Sequence, residues 1–587
     1  MERGSRILVF IALFALIYFG FSSFGGDKAE FQPLQPETVL QPTGPRPAER
    51  LCDLWTPEFR AQLSSRGAVL KHFEPLAAKY RKHGIALDLV TTPDHPQFSP
   101  LYTGLRPTSN KPNPETALVA TDIQDYALTA STKTSCTFEY RDARALIKKT
   151  FSVAEGAPYG LHVALEVKNV DSVPRDYELE TSTTAYLTNA QVESKMFRTN
   201  PLTTRVECFG TNGDARREGI DDFAPGDFAD EKRFVKSAHN TGDWSEPAGE
   251  ASLIAVSNAY FSNAIAPEAG PTNPICQLQI EERWNRAAGT KGSDPQAAAL
   301  YKARLRYAPR LLAAGKTETY RFKAFIGPKE RKALTASGDR FDPVIDLGFF
   351  SIIAKVLVAF LLKVYGAIPN WGVAIVILTI TARVLLFPLS VPSIKNMIKM
   401  RELKPEMDKL NEKYKDDPQA KGLAQMALWK KHGANPMRGC LPQLASMPVW
   451  FALYTTLQTA VELYNIPFLW FPDLSESDPY YILPFVIGAV FFVQQKMTPM
   501  QGGDPAQQKM MMYMMPGMFT VFMLFLPAGL GVYMFTNSLL GIVQQRVVEA
   551  QAKRSVKTSP DGVIETDGVS VAEPRLRGSD KKSPKSS

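Results

Sequence analysis

Residues 371–390, WGVAIVILTITARVLLFPLS, form an almost wholly apolar run with one charge, Arg383, well inside it. A helix rises about 1.5 Å per residue and the hydrocarbon core of a bilayer is about 30 Å thick, so about 20 such residues make one crossing. The run therefore reads as a transmembrane helix and the chain as a membrane protein. Charged residues nevertheless make up 21% of the 587 positions. The spans must share the chain with a large water-soluble part, and at least two domains follow.

The amino end, MERGSR, precedes an apolar run over 7–21 that no small-x-small cleavage site follows, so residues 1–24 are expected to be an uncleaved anchor. Residues 25–50 hold Pro33, Pro36, Pro42, Pro45 and Pro47 and read as an extended linker. Between 51 and 340 the apolar period becomes two. Leu161, Val163, Leu165 and Val167 share one face, as do Tyr320, Phe322, Ala324 and Ile326. With turn residues between such segments, this argues for an antiparallel β-sandwich. Cys52, Cys136, Cys208 and Cys276 lie in it, while Cys440 begins a later span. Export to an oxidising compartment would allow up to two disulfides in three connectivities; four buried thiols are the alternative.

Residues 341–369 contain an apolar run carrying Lys355 and Lys363, which stand about 80° apart on a helix, and read as an amphipathic helix lying on the outer surface. The spans are placed at 7–24, 371–389, 441–464, 480–495, 510–525 and 529–546, the last two separated by FLPAGLG. Segment 391–440 holds eleven lysines and arginines, whereas PFLWFPDLSESDP holds three acidic residues and no basic one. The basic segment is then cytoplasmic. Six spans put both termini inside and the β domain outside. The expected fold class is a multi-span α-helical membrane protein of six transmembrane helices with an exported β-sandwich, ending in a polar, Lys-rich, disordered tail over 549–587.

Arginine in mid-span costs about 2.5–3.5 kcal/mol and usually faces a partner or a wet cavity. Arg383 lies about 7 Å from the level of Pro388, so it can also snorkel to the headgroups. Polar residues recur at helical spacing around it: Thr379 and Arg383 in span two, Thr455, Gln458, Thr459 and Glu462 in span three, Tyr533, Thr536 and Asn537 in span six. Three such stripes converging on an arginine suggest a hydrated pocket between helices. In the cytoplasmic segment Met400, Leu403, Met407, Leu410 and Tyr414 follow a three-four spacing. KDDPQAKG turns the chain, and Leu423, Met426 and Trp429 resume, giving a helical hairpin with an apolar seam.

The strings NWGVAIVILTITARVLLFPL, HGANPMRGCLPQLASMPVWFALY, FLWFPDLSESDPYYILP and FLPAGLGVYMFTNSLLGIVQQ resemble the YidC/Oxa/Alb family of membrane-protein insertases. SSRGAVLKHFEPL, SNAYFSNAIAP and FKAFIGPKE extend the likeness to the family's Gram-negative members with a large periplasmic domain. The resemblance implies a mutarotase-like sandwich over 51–340 and a five-helix core within 370–548. That core encloses a hydrophilic groove, open to cytoplasm and lipid, with its arginine at Arg383 and a functional threonine at Thr379. The family's Tyr-Tyr pair stands here as Tyr533-Met534, and its Asn-Pro-Leu-Gly-Gly-Cys as NPMRGC, which adds Arg438.

The implied function is insertion of nascent inner-membrane proteins. A wet, positive pocket at Arg383, Thr379, Tyr533, Met534, Asn537 and Gln458 shortens the dry path for a hydrophilic tail, with no catalytic residue, cofactor or metal. The partners expected are nascent chains, the ribosome, membrane lipids and, as a candidate, the Sec translocon; no nucleic-acid sequence is read. An anion transporter would also want a wet arginine, but neither internal repeats nor paired broken helices are present. An exported carbohydrate-active domain is the other rival. Its histidines at 72, 83, 95, 162 and 239 pair with no carboxylate motif.

Overall fold

The strand over Gly160–Asn169 pairs antiparallel with Thr317–Pro328, setting Leu161 opposite Ala324, Val163 opposite Phe322 and Leu165 opposite Tyr320. The two apolar stripes are thus neighbours on one inner face, and all six side chains are buried. Burying a large apolar side chain is worth about 1.5–3 kcal/mol, so this register is strongly specified. The computed structural model describes residues 46–555 apart from 83–84, 93–97, 109–116, 121–123, 193–199, 225–238, 241, 248, 284–296, 415–416, 434–448, 450 and 498–504. The expected anchor, most of the linker, the start of span three with Arg438 and Cys440, and the tail beyond 555 lie outside the described residues.

Around this pair a nine-stranded sheet runs in the order Ala215–Glu218, Arg205–Gly210, Ala251–Ser257, Phe261–Ala269, Thr317–Pro328, Gly160–Asn169, Ala145–Val153, Ser135–Arg141, Ala127–Ser131. A second sheet joins Ile275–Arg283, Ala298–Arg306, Arg175–Thr188 and Arg310–Leu312, with Tyr102–Arg106 also on Arg175–Thr188. The inner faces of both sheets feed one continuous core, which makes a β-sandwich. Cys208–Cys276 links a strand of the first sheet to one of the second. Cys52–Cys136 links a three-stranded N-terminal sheet, beginning at Leu51–Trp55, to the first. The sequence left these pairings open.

A charged residue stands on the inner face of one strand of the sandwich. In Ala145–Val153 the inward positions are Ala145, Ile147, Lys149 and Phe151, and Lys149 is fully buried. Its Nζ donates to the Leu101 carbonyl at 2.7 Å, and burial holds its pKa well below that of an ordinary lysine. The folded state thus binds fewer protons here than the unfolded chain, so stability rises with pH up to the unfolded lysine range near ~10.4. Chemical denaturation of the detergent-solubilised chain should show a midpoint that climbs from about pH 7 to about pH 9. Lys149→Met should flatten that climb; an unchanged slope would show that Lys149 is not its source.

Among the described residues the longer helices that follow include α1 (Ser351–Ala367), α2 (Trp371–Glu402), α3 (Lys404–Lys413), α4 (Pro418–Lys431), α5 (Ile482–Met497), α6 (Pro505–Met523) and α7 (Ala528–Ser555), and residues 451–459 are helical as well. Among the described residues one stretch, Trp371–Pro388, is long and apolar enough to cross a membrane unaided; Ile482–Met497 and Met512–Met523 are apolar but shorter. The chain divides into two compact units, one of Met1–Leu378, Pro448–Gly488 and Gly517–Met534, the other of the remaining residues.

In the first unit, α1 buries Ala354 and Leu361 and leaves Ile352 and Val356 exposed together with Lys355 and Lys363, so its exposed side carries both apolar and basic residues. The loop before α5 is built on buried Asp478, whose carboxylate accepts from Leu483 N (2.7 Å), Tyr480 N (3.0 Å) and Trp470 Nε1 (3.2 Å). It also caps α7: Ala528 N and Gly529 N donate to the carbonyls of Glu476 and Leu474 at 2.7 and 2.8 Å. These bonds satisfy amides that a helix start leaves orphaned. The same loop joins the sandwich. Val461 belongs to its core, Tyr464 packs on Tyr80, Tyr260 and Phe261, and Asn465, at φ +54°, donates to the carbonyls of Lys79 and Arg81.

The second unit departs from the expected boundaries in three ways. The span expected to stop at 389 continues as one helix to Glu402, through Pro388 and Pro392; these prolines stand four apart, so their missing N–H groups fall on one face. The last helix runs to Ser555, past the expected start of the tail at 549. In the hairpin Met400, Leu403 and Met407 are buried, Leu410 and Tyr414 half-buried, and Trp429 packs on Met400 and Leu403. Leu423 and Met426, expected on the seam, are exposed. The inward face of α4 is instead Gln425, bonded to Asn411 at 2.9 Å, and Trp429 one turn on. Asp417 caps α4 by accepting from Gln419 N and Ala420 N.

Candidate functional site

Arg383 sits half-buried in α2. Its guanidinium lies along one face of α7: Nε donates to Asn537 Oδ1 at 2.6 Å, Nη2 to the Asn537 carbonyl at 2.9 Å and Nη1 to Gln544 Oε1 at 3.1 Å. The Gln544 amide returns a bond to the Arg383 carbonyl at 3.2 Å. Asn537, Gly541 and Gln544 are spaced four and three, one face of a helix. Gly541 supplies the room: a Cβ there would stand 3.3 Å from both Arg383 Nη2 and Gln494 Nε2. The arginine thus reaches a backbone carbonyl that a larger residue would shield.

Of the sequence-predicted site residues, the structure brings Arg383 and Asn537 into direct contact. Thr379 is buried one turn before Arg383 on α2. Tyr533 and Met534 are buried on α7, within the first unit. Gln544, Gly541 and Gln494 were not among the predicted residues. The first two continue the stripe from Tyr533 and Asn537 at the same helical spacing, so a longer periodicity count would have reached them.

Gln458 lines a separate cavity of about 270 Å³ within the first unit, together with Thr203, Arg205, Glu207, Lys329 and Asp346. Its Nε2 donates to Tyr454 Oη at 2.6 Å. Glu207 and Lys329 are both buried. Burial pushes the Glu207 pKa up, opposed by the charges of Lys329 and Arg217 and a bond from Ser257. Burial pushes the Lys329 pKa down, opposed by Glu207 and Asp346.

The model for the YidC periplasmic domain matches residues 52–360, more than half of the chain, and that for the 60Kd inner membrane protein matches 363–555. A membrane protein insertase YidC from Anaeromyxobacter sp. (strain K) is 34% identical over 505 residues, 84% of this chain and 83% of that protein. The chain belongs to the YidC family. A crystal structure described as active YidC insertase with the first transmembrane domain resolved covers 92% of this chain and 99% of its own at 15% identity, with a TM-score of 0.35. A galactose mutarotase-like protein from Lactobacillus casei ATCC 334 covers 47% and 100% at 15% identity, with a TM-score of 0.27. At these scores neither structural likeness bears on this chain. The sandwich is this YidC-family member's periplasmic domain, and α2 to α7 fall within the segment that the inner membrane protein model matches.

The Arg383–Asn537 contact has a measurable energy. A hydrogen bond to a charged group is worth about 1.5–3 kcal/mol, so Asn537→Ala should lower the unfolding free energy of the solubilised chain by about that much. In an Arg383→Ala background the same change should cost less, a coupling of about 1 kcal/mol or more in a double-mutant cycle. Strict additivity would refute the contact.

Proposed function

We propose that this YidC-family membrane protein insertase carries hydrophilic tails of nascent inner-membrane proteins across the bilayer through a groove centred on Arg383. The observation that carries this reading is a guanidinium in the middle of an apolar helix whose bonds run to the neutral oxygens of Asn537 and Gln544. A carboxylate makes shorter and stronger bonds to arginine than an amide does. An acidic residue in a client tail can therefore take the place of Asn537 and Gln544, and the amides reclaim the guanidinium when the tail moves on. The dry distance is shortened from the cytoplasmic side, and the client's apolar segment then partitions into lipid by the hydrophobic effect. Thr379, Tyr533 and Met534 are assigned to the groove wall. No bond is made or broken, so no catalytic residue is assigned.

The topology follows from charge and redox chemistry. Six spans put both termini in the cytoplasm and the sandwich outside, supported by eleven basic residues over 391–440. Two disulfides in the sandwich suit an oxidising compartment. The hairpin of α3 and α4, with the basic tail, receives the ribosome and its nascent chain. The Sec translocon is a candidate partner, and lipid contacts the open side of the groove.

Two experiments test this. Arg383→Ala should slow insertion of clients with acidic translocated tails by about tenfold or more, as expected for a lost charged hydrogen bond. Arg383→Lys should retain much of the activity, and neutral tails should be least affected; equal effects on all clients would sink the groove. Deleting about 400–430 should abolish insertion while the remaining chain still accumulates and keeps its disulfides. Normal insertion by that variant would remove the hairpin from the mechanism.

A further inference from the structure

The cavity that Gln458 lines holds a cation its surroundings leave largely unused. Lys329 is 7% exposed, and among the described residues the one hydrogen bond of its Nζ is a long one, 3.4 Å, to the Val344 carbonyl. The neighbouring anions are already served. Glu207 accepts from Ser257 at 3.0 Å and pairs with Arg217 at 3.6 Å. Asp346 accepts from Gly348 N at 3.0 Å and from Arg205 at 3.4 Å. The Thr203 hydroxyl, also on the wall, is buried without a hydrogen-bond partner. Counting Arg205, Arg217 and Lys329 against Glu207 and Asp346 leaves one positive charge for an incoming anion.

Size narrows the occupant. At about 270 Å³ the cavity falls just below the range of about 300–1,000 Å³ that holds drug-sized ligands. It has room for an acidic side chain and its immediate backbone but not for a folded element. Its wall joins strand ends of the sandwich to Thr455, Gln458 and Thr459, part of the polar stripe from which the sequence placed Gln458 in a hydrated pocket. We propose that this cavity receives a carboxylate side chain of the client's translocated segment, with Lys329 as the cation on its floor. This rests on the insertase reading above and adds a second cation, at the periplasmic domain, to the one at Arg383. Buried carboxylate bonds at Lys329 hold an acidic tail that has crossed and oppose its return.

The test uses the full-length chain in proteoliposomes with Cys440→Ser and Ala259→Cys, the latter a small change on the cavity wall. The client is a single-span protein whose translocated tail carries one cysteine beside either two aspartates or two asparagines. Disulfide crosslinking, counted per inserted client, should favour the aspartate tail by about fivefold, as for an ion pair worth about 1 kcal/mol. Lys329→Gln should erase the preference and Lys329→Arg should keep it. If Lys329→Gln does not accumulate, the two tails compared in the Lys329 background still decide. Equal yields for both tails, or no crosslink to an inserted client, overturn the inference. Equal yields that rise when anionic phospholipid is withdrawn overturn it in favour of a lipid headgroup. Insertion itself, read by protease protection in the same reactions, reports on the groove separately, so normal insertion without the preference rejects only the cavity.

Discussion

The pairing of α2 with α7 turns on the cost of one guanidinium. An arginine in an apolar helix is tolerated only if its donors are met, and α7 meets those of Arg383 with a side-chain amide, a backbone carbonyl and a second amide along one face. That arrangement asks for Asn537 and Gln544 at their spacing, and for a glycine between them. It also makes α2 and α7 partners in sequence design although 154 positions separate Arg383 from Asn537. Asn537 and Gln544 themselves bring no charge to the arginine, as a fixed carboxylate in their place would.

The periplasmic domain solves a different problem. Its sheets are covalently cross-linked, the two sheets of the sandwich by Cys208–Cys276 and the N-terminal sheet to the first of them by Cys52–Cys136. It is not an independent bead on a string, since the loop before α5 contributes Val461 to its core and Asn465 to its surface bonds. That same loop caps α7 through Glu476 and Leu474. One short segment therefore ties the sandwich to the start of the helix that carries Asn537.

Much of this was legible in the sequence because it rests on local periodicity. The stripes at Leu161 to Val167 and Tyr320 to Ile326 identify strands from their neighbours alone, and so does the long apolar run at 371. Lys149 was not legible: its inward position is set by Ile147 and Phe151, but the carbonyl that makes it tolerable belongs to Leu101, remote in sequence. The hairpin was legible in its first arm and misread in its second. Positions 423, 426 and 429 are three apart and drift around the helix, whereas the inward face follows the four-residue step from Gln425 to Trp429. Gln458 shows the remaining limit. Its stripe was visible, but which cavity a stripe lines depends on a strand end some 250 residues earlier.

The placement of Val461 and Tyr464 has a consequence for how the molecule is made. Synthesis proceeds from the amino end, and domains generally close as they emerge. Here the sandwich reaches its last strand at Thr317–Pro328, yet the side chains that complete its core and cover Tyr80 and Tyr260 arrive more than 130 residues later. At the ~5–20 residues per second of translation, that leaves an interval of about 7–27 s in which a nearly finished domain lacks Val461 and Tyr464. During that interval the surface at Tyr80 and Tyr260 that Tyr464 later covers stays open, so a late loop, and not the last strand, finishes the sandwich.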